Sequence, residues 1–247
     1  MRRLAQLLCA VLLLPLSVAA DDPEFDPAFG QEVDLELVLL ADATGSIDTA
    51  EILFQREGYA RAITDPSVIR AIESGLLGRV ALAYVEWGDD RSQDIVANWA
   101  VVSDAAEAAA FAEALMAPPR RAYGRNAIGS ALLFAKGMIE ANEFDGLRRV
   151  IDFSADSANN WYGPPIETAR AEVLAAGITI NGLAVLCRSC SGRPVSYDLE
   201  AAFAERIVGG PGAFVITADS AETFADAVRR KLILEISGME ARDYAAR

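Results

Sequence analysis

Short apolar runs alternate along the chain with longer segments of helical period. Residues 33–41 (VDLELVLLA) read as a first buried strand, and residues 79–87 (RVALAYVEW) as a second. Residues 93–102 (QDIVANWAVV) follow after a polar connection containing Gly88, Asp89 and Asp90. That connection is too short for a parallel crossover, so this run is expected to pair antiparallel at an edge. RRVIDFS (148–154), ITINGLAVL (178–186) and AFVIT (213–217) supply further strands. A helix opened by Asp48, with Glu51 three residues on as in a capping box, is expected to reach about Ile63. Asp104 caps an alanine-rich helix that stops at Pro118 and Pro119. The next helix starts near Asn126 and puts Ile128, Ala131, Leu132, Ala135, Met138 and Ile139 on one face. Others run from Pro165 to Ala176, over 198–207, and from Ser220 to about Leu234. The alternation predicts an α/β fold: a Rossmann-like three-layer architecture, with a mostly parallel central sheet, one antiparallel edge strand and helices on both faces.

The first twenty residues, MRRLAQLLCAVLLLPLSVAA, place two arginines before an apolar stretch and end with Val18 and Ala20 where a signal peptidase reads. Cys9 lies inside that stretch without the small residues that precede a lipidated cysteine. The expected organisation is a signal peptide (1–20), an N-terminal extension (21–32), one domain (33–236) and a C-terminal tail (237–247). The protein is expected to be exported, to the periplasm or beyond, with no integral membrane segment after cleavage.

Removing Arg2 and Arg3 with the leader leaves 20 basic against 36 acidic residues, a net charge of −16. That balance argues against nucleic acid and anionic lipid as partners, and fits a cation or a basic partner surface. The chain has no histidine, which removes Ser-His-Asp and Cys-His mechanisms and every metal site that needs imidazole. Cys187 and Cys190, in LCRSCSG, read as a small disulfide loop in an oxidising compartment; the rival, a redox pair, would need to open a helix shortly after the first strand of its fold.

The candidate chemistry is therefore oxygen chemistry. LVLLADATGSID (37–48) ends a buried strand on Asp42, with Thr44 and Ser46 beyond it and Gly45 between them to let the loop turn. In open parallel sheets ligands gather beyond the carboxyl ends of the strands, and Asn126 (in YGRNAIG) and Asp156 (after VIDFS) fall at that end too. One or two carboxylates with neutral oxygens suit Mg²⁺, with Mn²⁺ or Ca²⁺ as alternatives. Taken singly, Asp42, Thr44 and Ser46 are ordinary turn and cap residues; their coincidence with Asp156 is what indicates a site. Arg125, beside Asn126, would repel a divalent ion unless it points away. Trp161 and Tyr162 form either an exposed aromatic lip for partner contact or a packed underside of the loop. Trp87 and Trp99 read as core or sheet-face residues, and Asp89 and Asp90 as a solvated turn.

On these residues the chain resembles a von Willebrand factor type A (vWA) domain, over roughly 33–235. DATGS resembles that family's Asp-x-Ser-x-Ser metal motif with Thr44 in place of the first serine. Asn126 stands where the family has threonine, and Asp156 where it has its last aspartate. The runs VIDFSADSANN, GRNAIGSAL and INGLAVL are similar to a group of exported bacterial proteins within this superfamily whose function is uncharacterised. The resemblance implies a non-enzymatic adhesion or interaction module, with a metal-ion-dependent adhesion site completed by an acidic side chain of a protein partner. Asp42 followed by ATGS also resembles haloacid-dehalogenase phosphatases, which implies a Mg²⁺-dependent hydrolase with Asp42 as nucleophile. There the residue two places on should be an aspartate, and Thr44 cannot protonate a leaving group. A vWA scaffold without metal is the third alternative.

Overall fold

The computed structural model describes residues 30–186 and 196–239. Cys187 and Cys190 lie outside the described residues. Nearly every predicted strand and helix is present. The strands are β1 (Gln31–Val33), β2 (Leu35–Asp42), β3 (Val80–Trp87), β4 (Gln93–Val102), β5 (Phe144–Gly146), β6 (Arg149–Ala155), β7 (Thr179–Val185) and β8 (Val215–Ala218). The helices are α1 (Thr49–Ile63), α2 (Pro66–Glu73), α3 (Ala105–Met116), α4 (Ile128–Glu140), α5 (Ile166–Ala175), α6 (Leu199–Arg206) and α7 (Ala221–Ser237).

Six strands form one sheet in the order β4-β3-β2-β6-β7-β8, and every pair is parallel except β3–β4. The expected antiparallel edge is thus β4, which meets β3 with register irregularities around Tyr84. All eight residues of β2 are buried, as a central strand covered on both faces requires. Tyr59, Val68, Phe111 and Phe224, from α1, α2, α3 and α7, pack on one face of the sheet. Ile128, Leu132, Ile166, Val173 and Phe203, from α4, α5 and α6, pack on the other. Each such buried aliphatic or phenyl side chain contributes about 1.5–3 kcal/mol.

Local chemistry sets the helix starts. Asp48 and Glu51 form the expected capping box on α1, and Asp104 accepts from the backbone N–H groups of Ala106 and Glu107 to start α3.

Two features depart from the sequence reading. The expected first strand is split at Asp34, whose buried carboxylate turns aside to accept from the backbone N–H groups of Leu77 and Arg79. Gln31 and Glu32, read as the end of an extension, pair in parallel with Phe144 and Asp145. The second is α2, a helix in a stretch to which the sequence reading assigned no element. Asp65 caps it, Pro66 sits in its first turn, and Val68, Ile69 and Ile72 are buried.

Candidate functional site

The strand order reverses between β2 and β6: the chain goes outward from β2 to β3 and β4, then returns to the other side of β2. Beyond the carboxyl ends of two such strands the following loops part, leaving a crevice. β2 ends on Asp42, and β6 ends one residue before Asp156, in a register that pairs Ala41 with Ser154. Topology alone therefore sets the two aspartates side by side.

The loop after β2 is tightly made. Asp42 is 2% exposed, and its Oδ1 accepts from the Thr44 N–H at 2.8 Å. Ala43 N donates to the Trp87 carbonyl, and Ile47 N to the Thr44 carbonyl. Thr44 Oγ1 and Ser46 Oγ lie 3.2 Å apart, with Thr44 buried and Ser46 exposed. Gly45 lies in the turn, as expected, without a positive φ. Positive φ falls instead on Gly124, at 108°. What Gly45 provides is close approach: its N–H donates to the Gly124 carbonyl at 2.7 Å, and a Cβ would stand 3.4 Å from that oxygen.

Arg120 is the organising residue that sequence reasoning missed. Its guanidinium donates to the carbonyls of Ala43 (2.6 Å), Thr44 (3.1 Å), Ile47 (2.7 Å) and Ala122 (3.0 Å). No sequence signal separates it from Arg121, which is 64% exposed at its side chain and meets Asp94 at 4.0 Å.

The five predicted oxygen ligands fall into this one neighbourhood. The Asp156 backbone N–H lies close enough to the Asp42 carboxylate to favour its charged form, and the Ser46 side chain does the same for the Asp156 carboxylate. Asn126 is nearly buried and donates from Nδ2 to Ser157 Oγ at 2.8 Å, so any ligand role at that residue falls to its Oδ1. Arg125 sits over the Trp161 ring, 4.7 Å from the centroid. Trp161 and Tyr162 are exposed, at 57% and 50%, so they are not packed under the loop. Asp89 and Asp90 do more than solvate a turn, because Asp90 accepts from Ser130 in the first turn of α4 at 2.6 Å.

The electrostatics are those of two carboxylates in want of a counter-charge. Burial is the main cause pushing Asp42 up to about 6, against the lowering effect of the Thr44 bonds. Burial also pushes Asp156 up, to about 8, and the Asp42 charge adds to it. Asp42 Oδ2 is buried without a hydrogen-bond partner, an arrangement that costs free energy unless something satisfies it. Among the described residues no three Asp, Glu, His or Cys side chains form a ligand cluster. A cation here would be held by two carboxylates and neutral oxygens. That donor set, with its orphaned carboxylate oxygen, fits a hard divalent ion.

Residues 32–240 match the family described as "Protein of unknown function (DUF1194)". No curated protein matches the sequence. Solved structures share the fold at low identity. Proximal thread matrix protein 1 from the mussel byssus aligns with TM-score 0.58 and 16% identity over 84% of this chain and 47% of its own; a further structure of it has a zinc-occupied MIDAS motif. The pilus adhesin SpaC from Lactobacillus rhamnosus GG aligns with TM-score 0.57 and 13% identity, over 85% of this chain and 32% of its own. A von Willebrand factor type A protein from Catenulispora acidiphila gives 0.56 and 15%, over 83% and 43%. The chain spans less than half the length of each of these proteins.

Proposed function

Because the chain belongs to the DUF1194 family and is built on the vWA fold, we propose that it is an exported, non-enzymatic protein-binding module whose partner site is a divalent cation at the carboxyl ends of β2 and β6. The observation that carries this reading is the placing of Asp42 and Asp156 at the neighbouring ends of β2 and β6, together with a buried Asp42 oxygen that has no hydrogen-bond partner. Asp42, Thr44, Ser46, Asp156 and the Asn126 amide oxygen would hold the ion, Mg²⁺ first and Mn²⁺ or Ca²⁺ next. A bound ion supplies a directional positive charge with an open position for one carboxylate of the partner. Arg120 takes the Ala43, Thr44 and Ile47 carbonyls as its own acceptors and so fixes the loop that carries three of these residues.

The rim supports a protein partner. Tyr123, Trp161 and Tyr162 are all half exposed or more, and Arg120 and Arg125 lie over the first two rings. Aromatic and arginine side chains of this kind are the usual anchors of an interface. The partner matched to this rim offers a carboxylate amid apolar surface and is not strongly acidic overall, since the −16 charge repels such a chain. Proteins of this fold include a pilus adhesin and a byssal matrix protein, which agrees with binding outside the cell. Among the described residues no helix is long and apolar enough to cross a membrane.

Nothing favours the phosphatase reading. The chain's two lysines are committed elsewhere, Lys136 to Glu140 and Lys231 to Asp152 and Glu235. Calorimetric titration of the chain with Mg²⁺, Mn²⁺ and Ca²⁺ tests the proposal. Wild type is expected to bind one ion, and a folded Asp42→Ala variant none. Silent titrations with all three ions would overturn the metal site, and turnover of a phosphate ester that Asp42→Asn abolishes would overturn the non-enzymatic reading.

A further inference from the structure

Away from the candidate site, a second polar cluster is buried between the sheet and α7. Asp152 on β6 is flanked in the sheet by Leu39 of β2 and Asn181 of β7. Lys231 Nζ meets Asp152 Oδ1 at 2.8 Å and Glu235 Oε1 at 2.5 Å, and Asn181 Nδ2 donates to the same Glu235 oxygen at 3.0 Å. The three charged side chains are wholly closed off from solvent. Two carboxylates therefore share one ammonium where water cannot screen them.

The groups packed around this cluster do not supply a second positive charge. Tyr59 on α1 and Tyr84 on β3 feel the Asp152 charge, and burial pushes both phenols up, so they stay neutral. Arg56, beyond Tyr84, is taken by Glu86. Arg148 is half-buried, gives Nη1 and Nη2 to the Glu235 and Ile236 carbonyls, and feels the Asp34 charge as well; among the described residues it makes no ion pair. With both carboxylates ionised the closed cluster would hold one uncompensated negative charge, which is costly in a low-dielectric interior. A single proton removes it. Glu235 Oε2 and Asp152 Oδ2 have no hydrogen-bond partner, so there is an oxygen to carry that proton. In agreement, burial is the main cause that pushes Glu235 up to about 7, and the Asp152 charge adds to it against the lowering effect of Lys231.

We propose that Asp152 and Glu235 share one proton in the folded protein, and that this proton latches α7 to the sheet below neutral pH and is lost above it. The titration belongs to the pair and not to one oxygen. A carboxyl that holds its proton more tightly folded than unfolded adds stability that is full below the ordinary carboxylate range and fades as pH rises through about 7. What loosens is the last helix of the described domain, whose Leu232 and Ile236 belong to the core on this face of the sheet.

Hydrogen exchange of the α7 amides, corrected for the intrinsic rate and measured in chelator at pH 6 and pH 8, tests this. Between the two conditions wild type is expected to lose about tenfold more protection than Glu235→Gln, because that variant leaves Lys231 and Asp152 as a neutral pair that needs no proton. Asp42 and Asp156 are common to both proteins, so their effects cancel in the comparison. The infrared spectrum of wild type minus that of Glu235→Gln should hold an un-ionised carboxyl band at pH 6 that is gone at pH 8. If Glu235→Gln does not fold, Asp152→Asn takes its place in both measurements. Equal loss of protection in wild type and variant, or a difference spectrum at pH 6 with ionised carboxylate bands only, would overturn the proposal.

Discussion

At the residue scale, Asp156 is the most exposed to a change of conditions. Its carboxyl is held up at about 8 by burial and by Asp42. A carboxyl raised in the folded state binds its proton more tightly there than in the unfolded chain. Its contribution to stability is therefore full below the ordinary carboxylate range, near pH 4, and is lost as pH climbs to about 8. In chelator, Asp156→Asn is expected to melt several degrees above wild type at pH 8 and about level with it at pH 4. With millimolar Mg²⁺ at pH 8 the order should reverse, because only wild type keeps both carboxylates for the ion. Thermal melts under the two conditions check this, and a variant that melts lower in chelator at pH 8 would contradict it. Arg56 and Glu86 form a buried two-point pair at 2.6 and 3.0 Å, with both side chains 1% exposed. Arg56→Met alone should cost about 3–5 kcal/mol in urea unfolding by stranding Glu86, and adding Glu86→Leu should recover much of it.

At the scale of elements, the loop of residues 117–127 acts as a brace for the metal loop. Arg120 reaches across to three carbonyls of residues 43–47, and the Gly124 carbonyl receives Gly45. Arg120→Ala is expected to leave the circular dichroism spectrum intact and to weaken Mg²⁺ affinity tenfold or more in calorimetry. Unchanged affinity would show that the loop holds itself. This brace was not legible in the sequence, because its contacts run from a side chain to backbone atoms more than seventy residues away, and such contacts leave no periodic trace. The strands, the helix starts at Asp48 and Asp104, and the edge position of β4 were legible, since burial on both faces, capping and a short connection are local matters. The split at Asp34 was hidden because only the position of Leu77 and Arg79 turns that residue out of the strand. β5, with three residues, is too short to show a period, whereas α2 did carry a signal in Asp65 and Pro66. Of the site, the oxygen-bearing residues and their gathering at one sheet end followed from motif and topology. The commitment of Asn126 to Ser157, and the stacking of Arg125 on Trp161, needed coordinates.

At the scale of the whole molecule, both ends of the described domain fasten to one short segment. β1 pairs with β5. Arg148, just beyond β5, donates to the carbonyls of Glu235 and Ile236 in the last turn of α7. A circular permutant that joins residue 239 to residue 30 through a short flexible linker, and opens the chain in the loop after α6, is expected to fold and to melt within about ten degrees of wild type; failure to fold would show that the order of synthesis matters more than this proximity. The same arrangement gives the domain a direction. Eight residues of β2 at about 3.3 Å each separate the fastened pole from Asp42. Residues 30 and 239 both lie at that fastened pole, on the far side from the aspartates. Anchored by either end to a larger body, the domain would hold its aspartates and aromatic rim outward to passing neighbours, clear of its own support.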